Sequence, residues 1–359
     1  MNRVILHIDL DYFYAQLEEL RNPSLKGKPL VVCIFSGRTQ DSGAVASANY
    51  LARELGVRAG MPIVFAKKKA PQAAFLRADR EYYEQVSDRI MEILRLFAEK
   101  FEQESIDEAS LEITQKISGS FIDAKKVGQE IKQKIFEEEK LTCSVGIGPN
   151  KLIAKMAADT KKPDGLTVVA FPEVDTFLRS KKISDLYGIG EKTTEALAEK
   201  GVRTISQLAK FPIRDLQEMF GEKRGKQIHE KSLGIDNSEV EEKPPQQLSR
   251  IMTLKENSSS ADALIENSSA LCADLAQKAK NLNLAFRTVS IILISNKLET
   301  ISRSKTLSAP ARSSEEILKT GSELFVEFFE QNTDFICRRF GIRVSNFEEP
   351  EAQRTLFEF

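Results

Sequence analysis

The sequence has few side chains that could bind zinc. It contains two histidines, His7 and His229, and four widely separated cysteines without a C-x-x-C pair. Structural zinc sites are built from closely spaced Cys and His ligands, so the composition argues against one. Scattered cysteines are typical of a reducing compartment, and we expect a cytoplasmic protein.

Long hydrophobic runs are also missing. The apolar run at the N-terminus is too short for a signal peptide, and no later run approaches the ~18 residues of a membrane-spanning helix. We therefore expect neither secretion nor a membrane span. The 52 basic and 53 acidic residues nearly cancel, so the net charge neither favours nor excludes an anionic partner.

The residues that are present predict several domains. With 359 residues, 41% of them hydrophobic, the chain can form roughly two to four separate cores. The N-terminal part mixes predicted strands at 3–10 and 142–148 with predicted helices at 80–101 and 121–138. A polar, Pro-containing stretch at 236–247 predicts an interdomain linker. After it the pattern is β-α-β-β-α-β, the ferredoxin-like order.

Acidic residues interrupt two predicted strands. Asp107 and Glu108 are adjacent in "QESIDEASLEI", where strand alternation would direct one of them into the core. Asp9 and Asp11 lie at alternate positions at the end of the first strand, and Asp11 is expected to cap the next helix. A single acid of this kind is usually a surface residue, but several among apolar neighbours are costly without a cation. Oxygen ligands alone favour Mg²⁺ or Mn²⁺ and indicate phosphoryl or nucleotidyl transfer.

Five segments carry a resemblance to a known family: "HIDLDYFYAQLEE", "SGAVASANYLAR", "SIDEAS", "CSVGIGPNKLIAKMAA" and "KKPDGL". In order and spacing they are similar to the Y-family DNA polymerases of the DNA polymerase IV (DinB) type, most of all the archaeal members, over residues 1–345. The resemblance implies an α+β multidomain protein with the right-hand polymerase architecture. Its implied parts are a ferredoxin-like palm (1–10 and 78–167), small fingers (11–77), a helical helix-hairpin-helix thumb (168–235), a linker (236–247), a β-α-β-β-α-β little finger (248–346) and a flexible tail (347–359).

The resemblance also implies the activity. Such enzymes are translesion DNA polymerases of low fidelity that add dNTPs to a primer 3′-hydroxyl, bypass damaged template bases and have no proofreading exonuclease. Small fingers agree with this, because they offer little induced-fit checking of base-pair geometry. The implied cofactor is Mg²⁺, two ions per active site, with Mn²⁺ as an alternative. The implied partners are primer-template DNA, dNTPs and a sliding clamp, and we expect a monomer that does not bind membranes.

The matching motifs assign the catalytic residues. They make Asp9, Asp107 and Glu108 the carboxylates that hold two metal ions, with the carbonyl of Leu10 as a further ligand. The aromatic ring of Tyr14 corresponds to the residue that excludes a ribose 2′-hydroxyl. A fixed ring is well suited to rejecting an added oxygen by a clash.

The triphosphate is expected to meet a second group of residues. Tyr50 and Arg53 share one helix face, and Arg53 offers two donors to phosphate oxygens. Lys162 matches the phosphate-binding lysine of the family, and the adjacent Lys161 is the alternative. The full expected set is Tyr12 through its backbone, Phe13, Tyr50, Arg53 and Lys162, although the pattern favours core packing for Phe13.

Two glycine- or alanine-rich segments are assigned to DNA. The small run "SGAVAS", with Ala44 and Ala46, leaves room for the nascent base pair in the family, while tight packing is the alternative. Gly188 and Gly190 resemble a helix-hairpin-helix, whose bare amides at a helix N-terminus bind phosphate without reading sequence. For Gly188 and Gly190 an ordinary turn is the alternative. The segment "GEKRGKQI" resembles a second helix-hairpin-helix, but more weakly.

Charge is segregated by element in the last domain. The predicted strands are basic and the predicted helices acidic, which predicts a basic open sheet face for the DNA backbone. A solvated mixed-charge surface is the alternative. The expected DNA-binding residues are Arg250, Arg287, Arg303, Lys305, Arg338, Arg339 and Arg343.

The C-terminal sequence "QRTLFEF" places apolar side chains after an acidic stretch, with no core to join. Such residues are typical of an anchor that folds onto a partner. They resemble sliding-clamp binding peptides through Gln353, Leu356, Phe357 and Phe359. The pattern does not distinguish a bacterial clamp from PCNA.

Two other functions share part of this pattern. A nucleotidyl cyclase could use the same carboxylates without a template, but the helix-hairpin-helix and the basic domain argue against it. A noncatalytic DNA-binding protein is the second alternative, and the intact Asp9, Asp107 and Glu108 argue against that.

Overall fold

The computed structural model describes residues 3–348. It contains two compact units. The first consists of Met1–Cys33, Val45–Met61 and Phe65–Lys243, and the second of Ile34–Ala44, Pro62–Val64 and Pro244–Phe359. The clamp-binding sequence predicted at 353–359 lies outside the described residues. No helix within residues 3–348 is long and apolar enough to cross a membrane.

The part of the chain before the linker is mixed α/β up to Val168 and helical after it. Up to the linker they are β1 (Ile5–Leu10), α1 (Phe13–Arg21), β2 (Leu30–Phe35), β3 (Gly43–Ala48), α2 (Tyr50–Glu54), α3 (Ile63–Lys69), β4 (Ala74–Arg77), α4 (Arg80–Phe97), β5 (Lys100–Gln103), β6 (Glu108–Glu112), α5 (Phe121–Glu139), β7 (Cys143–Gly148), α6 (Lys151–Ala158), β8 (Leu166–Val168), α7 (Val174–Arg179), α8 (Glu191–Glu199), α9 (Ile205–Lys210), α10 (Ile213–Phe220) and α11 (Glu222–Ser232). After it they are β9 (Gln247–Ser258), α12 (Ala261–Glu266), α13 (Ser269–Asn281), β10 (Ala285–Ser295), β11 (Thr300–Ala311), α14 (Ser314–Gln331) and β12 (Cys337–Glu348).

The strand β1 is the centre of a five-stranded sheet with the order β5-β6-β1-β7-β8. All of its residues are buried, because helices cover both faces of the sheet. Helix α5 packs against Val145 and Ile147 of β7, whereas α6 packs on the other face, over Gly146 and Gly148. This arrangement confirms the predicted mixed α+β fold of this region. A smaller sheet, β3-β2-β4, lies between β1 and α4 in the sequence.

The two adjacent acids do not share a strand. Strand β5 ends at Gln103 and β6 begins at Glu108, so Asp107 belongs to the preceding turn. The carbonyl of Glu108 accepts hydrogen bonds from the amides of Glu104 (3.0 Å) and Ser105 (3.2 Å), which closes this turn. The alternation that would direct one acid into the core therefore does not apply.

The prediction that Asp11 caps the first helix is wrong. Tyr12 is the N-cap of α1, in a left-handed conformation with φ 37°, and makes no side-chain cap bond. The carboxylate of Asp11 instead accepts hydrogen bonds from the Ser144 hydroxyl (2.8 Å) and the Asp164 amide (2.8 Å). Buried Asp11 thus joins β1, β7 and the loop that contains Lys162.

The helices α4, α5 and α6 begin as their sequences indicate. Their N-caps are Asp79, Ser120 and Asn150, whose side chains accept hydrogen bonds from backbone amides in the first turn.

The C-terminal elements follow the predicted β-α-β-β-α-β order, except that the first helix is divided into α12 and α13. The four strands form an antiparallel sheet with the order β11-β10-β12-β9. Helices α13 and α14 pack on one side of it. Their core includes Phe286, Ile291, Phe325 and Phe340, all fully buried.

Candidate active site

A cavity of about 710 Å³ opens where β1 ends. It is lined by the ends of β1 and β3, the starts of α1 and α2, and the turn before β6. The lining residues are Asp9, Leu10, Tyr12, Phe13, Tyr14, Ala46, Ser47, Ala48, Tyr50, Arg53, Arg58, Ala59, Ile106, Asp107 and Lys162. Most of the residues predicted for the metal and nucleotide sites are therefore in one place.

The carboxylate of Glu108 lies beside that of Asp9, which lines this cavity. Asp9 and Glu108 lie opposite each other on neighbouring antiparallel strands. The pKa of Asp9 is raised to about 7, because burial raises it more than the Lys162 ammonium lowers it, and the nearby Glu108 carboxylate adds to the rise. Burial acts to raise the pKa of Glu108, but the Lys155 ammonium, 2.7 Å away, together with His7 and Asp9, lowers it overall. A divalent cation would relieve the cost of these buried charges.

Among residues 3–348, one group of potential metal ligands has donor atoms within 4.8 Å of one another: His7, Asp9 and Glu108. Asp107 lines the cavity but is not in this group, and its carboxylate accepts a hydrogen bond from the Ser105 hydroxyl at 2.6 Å. Both ring nitrogens of His7 lie near other partners, Ser110 and Lys155, each at 3.3 Å. The oxygen donors therefore fit a hard cation better than the imidazole fits zinc.

Tyr14 presents a fixed aromatic ring to the cavity. The ring stacks on Tyr83, with centroids 4.4 Å apart and an interplanar angle of 20°. The hydroxyl of Tyr83 donates a hydrogen bond to the Glu18 carboxylate at 2.7 Å, so the Tyr83 ring is itself held in place. Burial raises the pKa of Tyr14, and the nearby Asp107 charge contributes. Tyr14 thus lies beside the carboxylates, as predicted for a residue that contacts the sugar.

The predicted triphosphate residues also line the wall of this cavity. The Tyr50 ring lies edge-on to Tyr12, 5.4 Å away. The Arg53 guanidinium is 4.9 Å from the Tyr50 ring centroid, and its Nε donates to the carbonyl of Ala48 at 2.8 Å. Phe13 is 2% exposed and packs in the core, so only its backbone is available to a ligand.

The structure distinguishes Lys162 from Lys161. The ammonium of Lys162 forms ion pairs with Asp9 and, at 2.9 Å, with Asp159, and Lys162 lines the cavity. The charge of Asp9 raises the pKa of Lys162 despite burial, which lowers it. Lys161 is exposed and is not part of the cavity wall.

The residues before and after α2 in the sequence agree only in part with the predicted site. Ala46 lines the cavity as predicted, whereas Ala44 does not and forms a β-bridge with Pro62. Arg58 also lines the cavity and was not predicted. In the sequence, Arg58 is recognisable only as a basic residue five positions after Arg53. The carbonyl of Val57 accepts a hydrogen bond from Arg58 at 2.8 Å and orients it.

The glycine pair of the helix-hairpin-helix adopts the expected geometry at its second helix. Gly188 has φ +89°, a conformation that favours glycine, and Gly190 is the N-cap of α8. The first helix of the motif is only a single 3₁₀ turn, Ile183–Asp185. Gly221 joins α10 to α11 with φ 85° in the weaker second copy.

The sheet register corrects the predicted DNA-binding face of the last domain. Directly opposed residues of an antiparallel pair share one face. Three predicted basic residues lie opposite core residues: Arg250 opposite Ile342, Arg303 opposite Ile291 and Lys305 opposite Val289. Accordingly, Arg250 pairs with Asp274 of α13 and Lys305 with Glu323 of α14. The prediction that these three belong to the open face is wrong.

Arg339 and Arg343 remain on the open face. Their opposed residues include Ile294 and Ser290, on the side away from the buried core. Most of this face consists of hydroxyl side chains: Ser249, Thr253, Ser290, Ser302, Ser304 and Thr306. Arg287 lies at a bulge and bonds to Glu348 (3.2 Å) and the Ser308 carbonyl (2.9 Å), and Arg338 lies beside the bulge of β12.

Comparison with known proteins identifies the family. The impB/mucB/samB family model matches residues 8–159, and the model of its C-terminal domain matches residues 245–356. A model described as the DNA polymerase-iota thumb domain matches residues 184–236. DNA polymerase IV of Methanosarcina acetivorans is 44% identical over 100% of both chains. The chain belongs to the Y-family DNA polymerases, DNA polymerase IV type.

Further relatives of this Y-family polymerase agree. DNA polymerase IV of Saccharolobus solfataricus is 40% identical, over 96% of this chain and 97% of that protein. A solved chimera of the Y-family polymerases Dbh and Dpo4 has a TM-score of 0.89 at 35% identity, and an insertion ternary complex of Dbh has a TM-score of 0.72 at 35% identity. Each comparison covers 96% of this chain and 98% of the other.

The predicted activity is thereby confirmed. The chain is a DNA-directed DNA polymerase of the translesion type, in a family of low fidelity without a proofreading exonuclease. Y-family DNA polymerases depend on a divalent metal, and within the described residues His7, Asp9 and Glu108 form a group that could hold one.

Proposed function

We propose that the 710 Å³ cavity holds the incoming dNTP, with its triphosphate on Tyr50, Arg53 and Lys162 and its sugar on Tyr14. The observation that carries this assignment is the Tyr50 hydroxyl. Within the described residues it is buried and has no hydrogen-bond partner. A buried hydroxyl without a partner is costly, and a phosphate oxygen would satisfy it.

The expected consequence for Tyr50→Phe is a KM for dNTP about tenfold higher than that of the wild type, with kcat changed much less. The loss of one hydrogen bond to a charged group corresponds to roughly 1.5 kcal/mol. The melting temperature should stay the same or rise, because the variant removes an unsatisfied hydroxyl. Steady-state insertion of a single dNTP measures both constants.

Tyr82→Phe is the matched control, since the Tyr82 hydroxyl is outside the cavity lining. It should leave KM within about twofold of the wild type. Equal KM values for Tyr50→Phe and wild type would contradict the assignment of the triphosphate to this wall.

The proposed cofactor is Mg²⁺, with two ions held by Asp9, Asp107 and Glu108 and by the carbonyl of Leu10. The donor set fits, because it consists of oxygens and because Asp9 and Glu108 lie opposite each other with carboxylate oxygens within 4.8 Å, close enough to share a cation. When bound, the ions would lower the pKa of the primer 3′-hydroxyl and neutralise the triphosphate and pyrophosphate. The chain itself orients the nucleotide through Tyr14 and Tyr50 and supplies positive charge through Arg53, Arg58 and Lys162.

The proposed domain boundaries are those of the family: palm 1–10 and 78–167, fingers 11–77, thumb 168–235, linker 236–247 and little finger 248–346. For DNA, the amides at Gly188 and Gly190 and the open face with Arg339 and Arg343 are the proposed backbone contacts. Hydroxyls and arginines bind phosphates without reading sequence. A monomer in the cytoplasm completes the proposal, since the substrate is DNA and the four cysteines are buried free thiols.

The proposed partner of residues 347–359 is a sliding clamp, bound through Gln353, Leu356, Phe357 and Phe359. Deletion of 353–359 is expected to abolish stimulation of primer extension by a clamp while leaving clamp-free extension unchanged. Primer extension on a long primed template, with and without loaded clamp, measures this. Glu351→Gln, next to the motif, should retain stimulation, and a truncated protein that is still fully stimulated would contradict the proposal.

A further inference from the structure

A chain of polar side chains lies behind Glu108, inside the protein. The hydroxyl of Ser110 donates to Glu104 at 2.6 Å, and Nδ1 of His7 lies 3.3 Å from the Ser110 oxygen. Nε2 of His7 lies 3.3 Å from Nζ of Lys155, which donates to Oε2 of Glu108 at 2.7 Å. His7 and Ser110 are fully buried and Lys155 is 9% exposed. Uncompensated polar groups at such positions are costly, so a set that is mutually bonded indicates a constraint.

The backbone brings Lys155 to this position. Gly146 of β7 lies opposite His7 of β1, and a Cβ on Gly146 would lie 1.9 Å from the Ala154 carbonyl oxygen of α6. Helix α6 can therefore rest directly on the sheet. Its residues Leu152–Ala158 are all buried, and an ammonium in that run has to find its partners within the protein.

The hydrogen bonds of the chain run outward from Lys155 in two directions, towards Glu108 and towards Glu104. An ammonium has no acceptor, so Lys155 donates both to Glu108 and to Nε2 of His7. Nδ1 of His7 then carries the hydrogen and donates to Ser110, whose hydroxyl donates to Glu104. Lys155 also lies 4.9 Å from the centroid of the Tyr187 ring. With an acceptor on either side and a ring above it, its ammonium has one preferred position.

We propose that Lys155 is a positioning residue, which holds Oε2 of Glu108 so that the other carboxylate oxygen faces Asp9 and the divalent cation. The role rests on the proposed assignment of Glu108 as a metal ligand. It differs from that of Lys162, whose ammonium lies on the cavity side. His7, Ser110 and Glu104 orient Lys155, as outer partners commonly orient metal ligands.

The test is Mn²⁺ binding to full-length Lys155→Met, with a dideoxy-terminated primer-template and dNTP present, measured from the electron paramagnetic resonance signal of free Mn²⁺. Loss of positioning should weaken Mn²⁺ binding about 10- to 100-fold. Electrostatics alone has the opposite sign, because removing a positive charge should tighten cation binding. In single-nucleotide insertion, kcat should fall by a similar factor while KM for dNTP changes less than about threefold.

Lys151→Met is the matched control. Lys151 is one turn earlier on α6 and pairs with Glu102 at 2.6 Å and more weakly with Glu104 at 3.6 Å, so this variant removes the same charge without removing a contact to Glu108. It should bind Mn²⁺ within about twofold of the wild type. Mn²⁺ binding by Lys155→Met that equals or exceeds that of the wild type would overturn the proposal. A wild type that extends primers but binds no Mn²⁺ would overturn the metal site itself, and this role with it.

A second variant keeps the test independent of the folding of Lys155→Met. His7→Phe fills the same volume but removes the acceptor that holds Lys155, and its folding is checked by thermal melting. We expect Mn²⁺ binding weaker by a smaller factor, about three- to tenfold. A folded His7→Phe protein with wild-type Mn²⁺ affinity would show that the chain behind Glu108 has no positioning role.

Discussion

Asp9→Asn should lower Mg²⁺-dependent primer extension by at least roughly 10³-fold, equivalent to about 4 kcal/mol of transition-state stabilisation. Asn retains the shape of the side chain but loses the negative charge on which cation binding depends. Affinity for primer-template DNA should stay within about threefold of the wild type, because Asp9 is at the cavity and not on the proposed DNA surfaces. Gel-based extension of a labelled primer and fluorescence anisotropy measure the two quantities.

The same substitution is expected to lower activity but not stability. Asp9 is buried and its pKa is raised to about 7, so the ionised carboxylate is unfavourable without a cation. In EDTA the melting temperature of Asp9→Asn should equal or exceed that of the wild type. Activity and stability moving in opposite directions is typical of a functional site and not of a structural ion pair.

Asp123→Asn serves as the matched control, since Asp123 is an exposed helix residue that pairs with Lys126. It should extend primers as well as the wild type. EDTA should abolish extension by both proteins, and added Mg²⁺ should restore it. Extension by Asp9→Asn at the wild-type rate would contradict the metal site.

The sequence predicted the fold to within a few residues because its periodicities are strong. The helix predicted at 121–138 is Phe121–Glu139, and the strand predicted at 142–148 is Cys143–Gly148. The helix predicted to reach residue 101 ends at Phe97, because the chain must turn there to start β5. Boundaries of this kind depend on turns that periodicity does not encode.

Side-chain direction was harder to predict than element order. The sequence shows that Arg250 and Arg343 both belong to basic strands, but it does not show which way each side chain points. The strand register places them on opposite faces of the sheet. Likewise, Asp107 and Glu108 are adjacent in sequence but belong to a turn and a strand. Lys155 was missed because its partners, His7 and Glu108, are 148 and 47 residues away in the chain. The sequence indicates a special role for Lys155 only by placing a lysine within the apolar run "LIAKMAA".

Tyr14→Ala is expected to raise incorporation of ribonucleotides relative to deoxyribonucleotides by about 10²- to 10³-fold. A pocket that merely binds a sugar rejects an added hydroxyl poorly, so strong discrimination needs a group that cannot move away. Tyr14 meets this condition, because its ring is stacked on Tyr83 and Tyr83 is held by Glu18. The ratio of kcat/KM for rCTP and dCTP opposite a template guanine measures the effect.

Tyr14→Phe separates the ring from its hydroxyl. If discrimination arises from a clash with the ring, Tyr14→Phe should retain the selectivity of the wild type within about threefold, whereas Tyr14→Ala should lose it. Selectivity lost equally in both variants would instead indicate that the hydroxyl recognises the sugar. Selectivity retained in Tyr14→Ala would exclude Tyr14 altogether. Insertion of dCTP should fall only modestly in Tyr14→Ala, because Asp9, Glu108 and the triphosphate wall are unchanged, so the ratio reports on the sugar and not on general damage to the site.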